Sequence, residues 1–122
     1  MKAFNALADY YKAQTGAAKG KGMSDAAEML GQDLAARIPS ANSAAKTHAD
    51  RGALRSLVWC EKVSAMMQSL LDRYAKEGEA MLADTSIYVC DICGFIYLGD
   101  TPPEICPVCK VPDYRIIKIE RR

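Results

Sequence analysis

Long apolar runs are missing from this 122-residue chain, and so is an excess of charge of either sign. No stretch approaches the roughly 18 apolar residues of a spanning helix, and Met1-Lys2-Ala3-Phe4-Asn5-Ala6 lacks the apolar core of a signal peptide. A cytoplasmic protein with no membrane partner is therefore expected. Sixteen basic against fifteen acidic residues leave a net charge of +1, so no broad electrostatic attraction to nucleic acid arises. Proline is scarce in the first 84 residues, where Pro39 stands alone, and histidine occurs once, at His48.

What is present divides near Thr85. Residues 1–84 are rich in Ala, Leu, Met, Lys and Glu, whereas residues 86–122 hold four prolines, four of the five cysteines and β-branched runs. This division predicts an α+β chain in two parts. The first is a mostly α helical hairpin or half-bundle over 1–84, and the second is a small β-rich metal-knuckle domain over 86–122.

In the first part, Phe4, Leu7, Ala8 and Tyr11 fit one face of a short helix that ends before Gly16. Gly16 to Gly22 reads as a flexible connector. Its Lys19-Gly20-Lys21-Gly22 lacks the Ser or Thr and the preceding strand of a phosphate loop. Ser24 is expected to cap a second helix with Asp25 and Glu28 near its start, a buried stripe of Ala26, Met29, Leu30, Leu34 and Ile38, and Pro39 as its stop. Ser40 then opens a third stretch, in which Leu54, Leu57, Val58, Val63, Met66, Met67, Leu70, Leu71, Tyr74, Met81 and Leu82 recur with helical spacing. Unbroken to Ala83 it would run about 65 Å, too long for so small a domain to cover, so a turn near Gly52 is expected. An apolar stripe of this length also predicts pairing with further chains. Cys60, in mid-helix, is expected to be a small buried hydrophobe and His48 a surface or interface residue.

Cys90, Cys93, Cys106 and Cys109 form two Cys-x-x-Cys pairs separated by twelve residues. Two residues between cysteines let both thiolates meet one ion from a tight turn whose amides face the sulfurs, and Gly94 gives the first turn a permissive backbone. In a reducing compartment this pattern points to metal, with two separate redox dithiols as the rival reading. A tetrahedral sulfur cage suits iron and zinc alike. Ile92, Phe95, Ile96, Tyr97, Ile105 and Val108 are the expected apolar shell.

The run Tyr88-Val-Cys90-Asp-Ile-Cys93-Gly94-Phe-Ile-Tyr97, followed by Pro102-Pro103-Glu104-Ile105-Cys106-Pro107-Val108-Cys109, resembles the C-terminal rubredoxin-like domain of rubrerythrins. The twelve-residue gap is similar to that of rubrerythrins and shorter than that of free-standing rubredoxins. The resemblance implies one iron per chain, shuttling between ferric and ferrous states, with zinc as the alternative occupant. Lys110 departs from the glycine that many relatives carry there. Upstream, Ala44-Ala45-Lys46-Thr47-His48-Ala49-Asp50-Arg51 resembles the Glu-Lys-x-His-Ala-Glu-Arg stretch of the ferritin-like bundle, in which glutamates and Glu-x-x-His pairs hold two peroxide-reducing irons. Here Ala45 replaces the ligand glutamate, and methyl cannot bind a metal. The resemblance therefore implies a one-electron carrier more than a peroxidase, with no catalytic residue assigned. Its expected partners are a redox protein and further chains held through the helices; the basic Arg115 to Arg122 segment reads first as solvated tail charge, with docking of an acidic partner as the alternative.

Overall fold

A computed structural model describes residues 22–120, together with Asp9, Ala13 and Gly20. Of the helix expected over Phe4 to Tyr11 only Asp9 is described; its other residues, residues 16–19 and 21 of the expected connector, and Arg121 and Arg122 lie outside the described residues.

Helix α1, Met23–Gln32, begins one residue before Ser24. Its cap is Gly22, whose N–H donates to Asp25 Oδ2 at 2.8 Å, so the carboxylate in the first turn does the work expected of the Ser24 hydroxyl. The helix does not stop at Pro39. It widens into a π turn over Asp33–Arg37, where the Ile38 N–H donates to Asp33 O, and continues as α2, Ile38–Thr47. A widened turn leaves one carbonyl without an intrahelical donor, and proline is the residue with no N–H to give it. The chain therefore passes Pro39 without breaking.

The expected break falls at His48 to Asp50. Ala49 adopts a left-handed φ of 51°, Asp50 N–H donates to Ala45 O at 2.9 Å, and Ala49 N–H donates to Lys46 O at 3.1 Å. This is a Schellman closure with alanine in the position that favours glycine. Asp50, and not Ser40, caps α3, Arg51–Glu77, by accepting from Ala53 N–H at 3.0 Å. Gly78, at a φ of 62°, ends α3, and a 3-10 turn over Gly78–Leu82 leads out of the hairpin.

The α1 stripe is narrower than expected. Ile38 is buried and Leu30 and Leu34 half-buried, but Ala26 and Met29 are exposed; among the described residues the helix packs chiefly on α3, Arg51–Glu77. Met81 is buried, while Cys60 is exposed where burial was expected.

The second part is a three-stranded antiparallel sheet ordered β2–β1–β3, with β1 at Ser86–Cys90, β2 at Ile96–Gly99 and β3 at Ile116–Ile119. Tyr88 stands opposite Tyr97, their ring centroids 6.3 Å apart, and donates from its hydroxyl to Asp100 O at 2.9 Å. A side chain at Gly99 would meet the Tyr97 ring at 2.7 Å, so only glycine lets that ring lie across the strand end. The two parts share a core, in which Val63 of α3 is buried with Tyr88, Cys90, Cys106, Val108 and Ile116, flanked by Trp59, Met66 and Met67.

Candidate metal centre

Each cysteine pair is folded the same way. In the first knuckle, Cys90 N–H donates to Phe95 O at 2.8 Å and Gly94 N–H to Cys90 O at 2.9 Å. In the second, Cys106 N–H donates to Val111 O at 2.9 Å and Lys110 N–H to Cys106 O at 3.0 Å. The residue after the second cysteine is left-handed in both, with φ of 84° at Gly94 and 66° at Lys110. β1 delivers Cys90 at its last residue, and β3 holds Ile116 opposite it. The second knuckle is secured by the bridge between Ile105 and Pro112.

The four sulfurs converge. Cys90 Sγ lies 3.6 Å from Cys109 Sγ, Cys93 Sγ lies 3.6 Å from Cys106 Sγ, and all four are within 4.8 Å of one another. A tetrahedral thiolate cage with metal–sulfur bonds of about 2.3 Å has edges of about 3.8 Å; the two 3.6 Å separations lie close to that, and the others stay within 4.8 Å. Both short edges join one knuckle to the other, as one shared centre requires and two independent dithiols do not. The donor set fits a single tetrahedral iron or zinc ion.

Burial and amides act against each other on the thiols. Burial pushes Cys93 well above the ordinary thiol range despite the Phe95 amide, and it raises Cys109 despite the Val111 amide. At Cys106 burial acts in the same direction, but the amides of Cys109 and Val108 together with the Cys93 and Cys109 side chains outweigh it and hold the thiol below its ordinary value. The same amides would steady thiolate charge around a bound cation. Cys90 and Cys106 are fully buried, whereas Cys93 and Cys109 are half-buried, so one edge of the cluster lies near the surface.

The shell differs from the expected one. Val108 is buried and Phe95, Ile96 and Tyr97 half-buried, but Ile92 and Ile105 are 44% and 57% exposed. Their places are taken by Tyr88, Ile116 and the α3 residues, whose helical spacing gave no sign of which face would meet the cysteines. Arg115, expected in a free basic tail, pairs with Asp91 at 2.9 Å, and its carbonyl accepts from Asp91 N–H, tying the C-terminal strand to the first knuckle. His48 is exposed at the end of α2, and Ala45, one turn earlier, is buried. Among the described residues, the four cysteines are the one group of three or more His, Cys, Asp or Glu that brings its donor atoms together.

A helical hairpin joined to a three-stranded sheet with two facing cysteine knuckles defines the class, a rubredoxin-like domain carried on helices. Residues 88–115 match the family described as rubrerythrin, rubredoxin-like domain. The "Putative rubrerythrin" of Methanocaldococcus jannaschii is 37% identical over 78 residues, covering 62% of this chain and 37% of that protein. Solved structures of nigerythrin, one fully reduced and all ferrous and one of mixed valence, superpose with a TM-score of 0.70 over 80% of this chain at 18% identity. They share the fold. The chain spans 47% and 48% of those two nigerythrin chains, less than half of either.

Proposed function

We propose that the chain carries single electrons through one iron ion held by Cys90, Cys93, Cys106 and Cys109. The carrying observation is the convergence of four sulfurs from two matching knuckles, with every pair of sulfurs within 4.8 Å. Iron in such a cage gains or loses one electron with little change of shape. The chain's own part is to hold the four sulfurs apart at tetrahedral spacing, to point the amides of Phe95, Val108, Cys109 and Val111 at sulfur, and to keep Cys93 and Cys109 near the surface. That exposed edge gives a protein redox partner a short path to the centre, and the helical hairpin supplies the surface for docking or pairing.

The test is metal content, the visible spectrum and a reductive titration of protein purified without added metal. One iron per chain, coloured when oxidised and bleached by one electron, supports the reading. One zinc per chain from iron-replete cells makes the module a structural one, and iron well above one per chain points to a second centre built between subunits.

A further inference from the structure

The metal module is not surrounded by its own residues alone. Val63, near the middle of α3, is 8% exposed and buried with Cys90 and Cys106. Its Cγ1 lies 3.9 Å from the point a Cβ would occupy on Gly94, the residue that follows Cys93 and donates its N–H to Cys90 O. Trp59 and Met67, one helical turn to either side, pack on the same cluster. A helix of the first part thus lies directly on the first knuckle.

We propose that Val63 is a positioning residue for the metal centre, a lid that keeps water off Cys90 and the Gly94 end of the first knuckle, on the side away from the exposed Asp91 and Ile92, and thereby slows metal loss and holds the reduction potential down. The proposal rests on the electron-carrier reading and adds to it the element that regulates the site. Four thiolates around ferric iron carry one net negative charge, and around ferrous iron two. Water or a polar group beside them favours the more highly charged reduced form, so a dry, apolar cover disfavours it. Val63 suits this task because its β-branched side chain is held stiffly in a helix and presents only methyl groups to the knuckle.

The experiment compares wild type with Val63→Thr, Val63→Ala and Val63→Ile, reading the potential of the loaded protein and the rate of metal transfer to a chelator. Helical circular dichroism and emission of Trp59, the chain's one tryptophan, report folding. Val63→Thr preserves volume and Val63→Ala opens space. Both are expected to shift the potential upward and to speed metal loss about tenfold, the lower end of what altered surroundings of a metal site cause. Val63→Ile is expected to stay near wild type on both. If Val63→Ala fails to fold, Val63→Thr decides. A folded Val63→Thr with unchanged potential and release rate overturns the lid and leaves the carrier intact. If the native metal is zinc, the carrier reading fails by itself, and the lid then stands or falls on whether zinc leaves Val63→Thr faster than wild type.

Discussion

Gly94 and Lys110 hold the same place in the two knuckles, each directly after the second cysteine of its pair and each left-handed, at φ of 84° and 66°. The first position has the residue that suits it. The second pays the cost of a Cβ beside the following carbonyl.

Lys110→Gly is therefore expected to stabilise the metal-loaded protein by about 0.5–1 kcal/mol, after allowing for the greater freedom of glycine in the unfolded chain. Gly94→Ala is expected to destabilise by about 1–2 kcal/mol through backbone strain, since the added Cβ meets Val63 only at ordinary contact distance. Thermal melts of the two variants check the opposite signs.

The hairpin corner obeys the same rule. Ala49→Gly relieves the left-handed φ of 51° and is expected to add about 0.5–1 kcal/mol, whereas Asp50→Ala removes the cap on Ala53 N–H and costs about 1 kcal/mol. Denaturant unfolding followed at the helical band reads both.

Metal occupancy is expected to fall as pH falls, because a cation can bind only by displacing protons from the thiols. The metal-free protein has the opposite slope. Burial raises Cys93 and Cys109 above their unfolded values, so the folded form keeps protons that the unfolded form gives up, and stability present below the ordinary thiol range is lost as pH rises through it. Cys106, held low, offsets part of this. Unfolding of the chelator-treated and loaded forms from pH 6 to 10 measures the two slopes.

Removing the metal is expected to move Trp59 emission to longer wavelength, because Trp59 packs on a core that contains two of the four cysteines. Cys106→Ser should give the same emission in the presence of metal. Emission that ignores chelation would show the helix contact to be independent of the centre.

Much of this was legible in the sequence, for identifiable reasons. Cysteine spacing carries its own geometry, so Cys90, Cys93, Cys106 and Cys109 were readable as one group, and the composition change near Thr85 announced helices before strands. Local chemistry misled where two devices competed. Pro39 is a stop signal in an α turn but is accommodated by a π turn, and Asp25 and Asp50 took the capping roles read into Ser24 and Ser40. Contacts across the two parts were not legible, because periodicity marks Val63 and Met67 as apolar without saying what they face. The same gap put Ile92 and Ile105 in the shell and Cys60 in the core.

Counting metal and electrons together in protein purified without added metal decides whether Cys90, Cys93, Cys106 and Cys109 hold a one-electron iron centre. One iron per chain is expected, coloured when oxidised and bleached reversibly by one electron from dithionite, with the colour abolished in Cys106→Ser. One zinc per chain from iron-replete cells, with no absorbance that dithionite changes, would contradict it.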